Sequence, residues 1–174
     1  MSVAHYLEDY LSDAHVDYKV ISHARTQTAF DSAHSAHVPT ANVVKSILLR
    51  ERHSTRYLMA LIPASNKLKL SWVNEALKRD LELAEEEEIA SQFTDCELGA
   101  IPGFGQAYNM NLIWDDELGR QPQLYFEAGS HEELIQIDNH DFGLLFEEHA
   151  HGVISLSYEN YSALHADEIR AGLH

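Results

Sequence analysis

Cysteine is almost absent from this 174-residue chain, and the single Cys96 excludes both an internal disulfide framework and a cysteine-based zinc site. It also suits a reducing compartment. No apolar run is long enough to span a bilayer, and the opening residues MSVAHYLEDYLS are acidic and amphipathic rather than basic and then apolar. A soluble, cytoplasmic protein is therefore expected. Positive charge is scarce too: 12 lysines and arginines face 28 aspartates and glutamates, a net charge of −16. That balance speaks against a polyanionic partner, because affinity for nucleic acid rests largely on neutralising phosphates. There is no internal repeat and no linker. With 45% hydrophobic residues, the chain predicts one domain with a core large enough to fold alone.

The few basic residues are segregated. Eight of them lie between Lys45 and Arg79 against two acidic ones, a local charge of +6 that leaves −22 on the rest of the chain. Such a segment, which includes Arg50, Arg52 and Arg56, is either a face that meets an anion or the solvated surface of a hairpin and a helix.

Hydrophobic periodicity predicts an amphipathic helix capped by Ser2 and carrying Leu7 and Leu11, then a short strand over residues 17–22 and a surface helix from Thr28 to His37. The runs at residues 43–49 and 57–63 read as paired, mostly buried strands. Ser71 is expected to cap a helix through Arg79, with a short strand at 81–84. Four consecutive glutamates at 85–88 suit the positive end of a helix and predict its first turn. Strands follow at 110–114, 123–128 and 133–138, the last two forming a hairpin that turns at Gly129. A helix starting at Asn139 or Asp141 comes next, and after Gly152 one strand and a helix from Tyr158 to Ile169. Without regular βαβ alternation, the pattern predicts an α+β fold: one domain with a mixed, barrel-like sheet and flanking helices. Residues 153–174 are expected to form a C-terminal extension packed on the domain built from residues 1–152.

Three features fit a plain scaffold poorly. Lys45 places an ammonium inside the apolar run VVKSILL, so it either reaches an edge or points into a polar cavity. Three glycines and a proline crowd into Gly99-Ala100-Ile101-Pro102-Gly103-Phe104-Gly105. Such a loop is either a connector or a curled backbone whose unpaired amides attract a carbonyl, carboxylate or phosphate. Gly129-Ser130-His131 sits at the hairpin turn. Two rival chemistries have less behind them. Cys96 reads as a small buried hydrophobe rather than a nucleophile, and the pairs His34/His37 and His149/His151 lack a further ligand at a recognised spacing, so no metal or other cofactor is expected.

In this order and spacing, VVKSILL, DCELGAIPGFG and FEAGSHEELIQI resemble the YbaK/ProX family of trans-editing deacylases, related to the insertion domain of bacterial prolyl-tRNA synthetases. The resemblance covers roughly residues 17–148. It implies a compact α+β domain and an enzyme that hydrolyses the ester joining a wrong, small amino acid such as alanine, cysteine or serine to tRNA, with tRNA(Pro) as the acceptor and a prolyl-tRNA synthetase as an associated protein. The alternative is a non-catalytic module that binds a tRNA end or an aminoacyl adenylate. By the same resemblance Lys45 is essential at the pocket mouth, and Gly99, Ile101, Pro102, Gly103, Phe104 and Gly105 wall the aminoacyl group. Gly129, Ser130 and His131 line the side-chain pocket. Lys45, Gly105 and His131 are the candidate catalytic residues; Ser46 and the other loop and turn residues are candidates for binding. Gly103 stands where relatives carry a second proline, and Ser46 where threonine or asparagine is common, so both bear on pocket shape.

Overall fold

The computed structural model describes residues 3–170. Helix α1 (His5–Asp13) leads into β1 (Lys19–Ser22) and α2 (Ala29–Ser35); then come β2 (Val43–Glu51), β3 (Tyr57–Pro63), β4 (Asn66–Leu68), α3 (Leu70–Leu77), β5 (Leu81–Leu83) and α4 (Glu86–Gln92). A 3₁₀ turn at Gly105–Tyr108 precedes β6 (Asn111–Asp115), β7 (Gln123–Glu127), β8 (Glu133–Asp138), α5 (Asn139–Phe146), β9 (Ala150–Gly152), β10 (Ser155–Ser157) and α6 (Tyr158–Arg170).

The main sheet runs in the order β1-β8-β7-β2-β3-β6-β9, with β5 paired to the far end of β2. It is mixed: β2 is antiparallel to β3 and β5 but parallel to β7, and β6 is parallel to both β3 and β9. β3 is apolar throughout because both its faces are covered. Leu58, Ala60 and Ile62 pack with Val73 of α3 and Leu81 of β5, while Met59 and Leu61 join Leu48, Phe126 and the buried Leu7 and Leu11 of α1. A third cluster lies under α2, where Ala29 and Ala33 meet Val43, Tyr125 and Leu134. This mixed α/β architecture is the one expected from the chain.

Local differences have local causes. Ser2 lies outside the described residues, and Ala4 occupies the N-cap position of α1 without a side-chain bond. α3 starts at Leu70 rather than behind a Ser71 cap, because the Lys69 N–H is held by the Ile154 carbonyl while its own carbonyl accepts from Trp72. Asp138 caps α5 by accepting from the Asp141 amide at 2.9 Å. The glutamate tract does begin α4, with the Glu85 amide donating to the Glu88 carboxylate at 2.7 Å. β9 gives no sequence signal: its three residues pair only along β6. β10 pairs with β4 and carries α6, and residues 171–174 of the C-terminal extension lie outside the described residues.

Candidate active site

The register of the one parallel pair beside α2 creates the site. Val43 stands beside Tyr125 and Val44 beside Phe126, and there the pairing of β2 with β7 stops. The next residues on each strand are Lys45 and Glu127. By the two-residue alternation of a strand they share the face of Val43 and Tyr125, the face that α2 covers. Both line a cavity of about 510 Å³ between α2, these two strands and the glycine loop. Thr28, Ala29 and Phe30 of the α2 N-terminus, Ser46, Gly99 and Ile101 complete much of its wall, and Tyr158 reaches it from the start of α6.

The polar groups of this cavity are incompletely paired. Among the described residues no carboxylate comes within 4 Å of the Lys45 ammonium, and the buried Ser46 Oγ has no hydrogen-bond partner. Glu127, only 3% exposed, accepts from Ser32 Oγ at 2.8 Å through Oε1, while its Oε2 has no partner. Burial pushes the Glu127 carboxyl up to about 7, and the Ser32 hydrogen bond counteracts this only in part.

The glycine loop and the hairpin turn are stitched together behind the cavity. The Glu97 amide donates to the Gly129 carbonyl at 2.7 Å, the Gly129 amide to the Ala100 carbonyl at 3.0 Å, and the His131 amide to Glu97 Oε2 at 2.7 Å. That last bond, ahead of the Arg25 guanidinium at 3.2 Å, holds the Glu97 carboxyl below its usual range. Gly99 has φ +88°, and a Cβ there would lie 3.0 Å from the Gln27 carbonyl and 3.2 Å from the His131 ring. Only glycine fits a left-handed position pressed from both sides. The amides of Gly99 and Ile101 donate to no backbone carbonyl among the described residues.

Of the residues singled out in the sequence, Lys45, Ser46, Gly99 and Ile101 border the cavity; Gly129, Ser130 and His131 support it from behind. The structure corrects the reading of the second half of the loop. Pro102, Gly103, Phe104 and Gly105 are buried and turn into the core, where the Phe104 ring packs on Phe126 and Phe146 with centroids 4.5 and 5.3 Å apart. Gly103 makes room for Phe126, whose Cδ1 would lie 2.9 Å from an added Cβ, so a second proline has no space here. At Gly105 an added Cβ would press on the Met110 carbonyl at 3.0 Å, a packing conflict and not a blocked substrate.

Glu127, Thr28, Phe30 and Tyr158 are among the cavity residues that the sequence reading passed over. For Glu127 a signal existed: a carboxylate closing the apolar run LYFEA is as anomalous as Lys45 in its own strand.

The basic segment is largely neutralised. Arg50 pairs with Glu82 and with Glu88, Arg52 with Asp80, Arg79 and Arg56 with Glu51, and Lys69 with Glu168. Of the two readings of this segment the ion pairs favour a solvated surface, because acidic partners come from Asp80, β5, α4 and α6 as well as from β2 itself. Cys96 lies outside the cavity and contacts Asp95 and the Tyr108 hydroxyl, each at 3.3 Å. Burial pushes its thiol up to about 12, far from the range of a nucleophilic thiolate. His151 binds Asp116 at 2.7 Å and stacks on Trp114, and His34 packs edge-on against Phe30. Among the described residues no group of three or more His, Cys, Asp or Glu side chains is arranged to hold a metal ion, and no helix is long and apolar enough to cross a membrane.

Residues 23–143, which contain every cavity residue except Tyr158, match the model of the aminoacyl-tRNA editing domain. No curated protein matches the chain in sequence. Among solved structures, the hypothetical protein APE2540 superposes with a TM-score of 0.76 at 16% identity, covering 87% of this chain and 100% of that one. A candidate trans-editing enzyme for prolyl-tRNA synthetase superposes with a TM-score of 0.71 at 19% identity, covering 87% of this chain and 95% of that one. At these identities the likeness is one of fold.

Proposed function

Because the chain belongs to the aminoacyl-tRNA editing domain family, we propose that it acts in trans as a deacylase, hydrolysing the ester of a small amino acid such as alanine, cysteine or serine on a mischarged tRNA. tRNA(Pro) is the acceptor this reading favours, with a prolyl-tRNA synthetase as the associated partner. The observation that carries it is the Lys45 ammonium, unpaired among the described residues and bordering a cavity of about 510 Å³ sized for an aminoacyl group and part of a ribose.

The chemistry asks little of the protein. Water adds to the ester carbonyl, the C–O bond to the ribose breaks, and the departing oxygen takes the proton that the water loses. Backbone N–H groups aimed at the developing oxyanion lower the barrier without rearranging during the reaction. The unpaired amides of Gly99 and Ile101 are the candidates for that role. Lys45 anchors the phosphate or ribose and so holds the ester in place. His131, behind Gly99, positions the loop through its ring and its amide.

The test is a panel of mischarged tRNAs followed for release of each amino acid. Release of a small amino acid supports the deacylase; binding without turnover marks a recognition module instead.

Two further outcomes are expected. Cys96→Ala should leave turnover within about twofold of the wild type, since a thiol held near 12 supplies no nucleophile. A loss of a hundredfold or more, measured on folded protein, would contradict this mechanism. In tRNA binding, Arg52→Ala and Arg56→Ala should leave the slope of log K against log salt unchanged, because these guanidiniums already face Asp80 and Glu51. Lys45→Ala should flatten the slope by about 0.7, the value of one contact to a single strand. Equal flattening by all three would return the basic segment to the interface.

A further inference from the structure

A carboxylate with one oxygen anchored and the other free is arranged to receive a donor. Glu127 meets that description: Ser32 Oγ holds Oε1 at 2.8 Å, Thr26 Oγ1 holds Ser32 Oγ in turn at 2.7 Å, and Oε2 is buried with no partner among the described residues. A buried carboxylate oxygen lacking a hydrogen-bond partner costs folding free energy, so a protein that keeps one beside a cavity has a use for it.

The neighbouring charge narrows the ligand. Lys45 and Glu127 are the residues just past the end of the β2–β7 pairing, one on each strand, on the same face and lining the same cavity, yet they do not pair with each other. The cavity thus presents one unmatched cation and one carboxyl whose second oxygen has no partner. Its complement is a ligand with an ammonium at one end and a phosphate at the other. An aminoacyl ester on the terminal nucleotide of tRNA is such a ligand.

We infer that the Glu127 carboxylate binds the α-ammonium of the aminoacyl ester while Lys45 holds the nucleotide end. The inference rests on the deacylase reading above and adds its recognition rule: the site selects esters with a free α-amino group, and N-blocked aminoacyl-tRNA is excluded. A hydroxyl donor would leave the carboxylate charge uncompensated in a buried place, whereas an ammonium cancels it. An arriving cation would also favour the ionised form of a carboxyl that burial otherwise pushes up. Among the described residues the causes acting on that carboxyl are burial and the Ser32 hydroxyl, with no charged group of α2 or β8 contributing.

The experiment compares kcat/KM for alanyl-tRNA and seryl-tRNA with that for their N-acetyl derivatives, in the wild type and in Glu127→Gln. The wild type is expected to prefer the free ester at least tenfold with either amino acid. In Glu127→Gln the ratio should fall to within about twofold of unity, chiefly through slower turnover of the free ester. A merely structural role would slow both esters alike and leave the ratio intact, which overturns the inference while the deacylase reading stands. A seryl-over-alanyl preference that disappears in the variant, with N-acetylation neutral, also overturns it, since the donor is then the side-chain hydroxyl. If Glu127→Gln does not fold, the wild type alone decides: equal rates for free and N-acetylated esters overturn the inference. If the wild type hydrolyses no ester in the panel, both the reading and the inference fall.

Discussion

Replacing Lys45 with alanine is expected to reduce deacylation by a factor of 100 or more and to leave the fold nearly as stable as before. The two effects separate because Lys45 is half-buried and has no carboxylate partner among the described residues. Its removal leaves no orphaned counter-charge and forfeits only the packing of its methylene stem, so the stability change should stay within about 1 kcal/mol. The loss in rate is larger because an ammonium that holds a phosphate or ribose sets the position of the ester. A factor of 100 corresponds to about 2.7 kcal/mol of transition-state stabilisation, within reach of one well-placed charge-assisted contact. Single-turnover deacylation and thermal denaturation of the same preparation check the pair of outcomes. A drop in melting temperature that matches the drop in rate would show instead that Lys45 supports the sheet.

The stability gap between Glu127→Gln and the wild type is expected to widen by about 2.5 kcal/mol in favour of the variant as pH rises from 5 to 8. In the folded chain Glu127 titrates near 7, against an ordinary value of 4.5. Well below pH 4.5 the carboxyl is neutral whether the chain is folded or not, and stability does not depend on its titration. Between 4.5 and 7 the unfolded chain gives up the proton while the folded chain retains it, so stability falls as pH rises. Above 7 the loss is complete. A separation of roughly 2.5 units at 1.36 kcal/mol each sets the scale. Glutamine is neutral throughout and escapes this loss. Any fixed penalty from its amide shifts the whole curve without changing how it depends on pH. Urea denaturation of both proteins at pH 5, 6, 7 and 8 reads the difference directly, and a gap that stays constant would show that the carboxyl is not desolvated in the native state. Together with the expected loss of substrate selection in the same variant, this describes a residue kept for function at the expense of stability.

Much of the site was legible because it consists of violations of local pattern. A lysine inside VVKSILL and a glycine–proline loop between apolar segments are anomalies that a neighbouring dozen residues suffice to reveal; which glycines are left-handed is not revealed that way, since positive φ falls at Gly99 and Gly129 and at neither Gly103 nor Gly105. Legible over equally short spans are the helix started by four glutamates and the buried hairpin of β2 and β3, whose runs are too apolar to lie on a surface. What those residues face is another matter. Phe104 and Gly105 belong by composition to the same loop as Gly99, yet the space between Phe126 and Phe146 draws Phe104 inward and takes Gly105 with it. Charge counted along Lys45 to Arg79 is blind to Asp80, Glu82 and Glu88, which fold back from just beyond the segment and pair with its arginines.

Determined by the sequence alone, then, were the succession of helices and strands, the mixed α/β class and the positions where the chain departs from ordinary packing, because each depends on periodicity and backbone preference over short spans. Only the tertiary structure decided that Lys45 stands beside Glu127. Those residues are 82 apart, and the parallel pairing that aligns them is set by how α2, β3 and β8 pack around the two strands. The same packing brings Tyr158 from the last helix to a cavity otherwise built before residue 128. Strand register is a cooperative property of the whole core, and no local stretch contains the contacts that settle it.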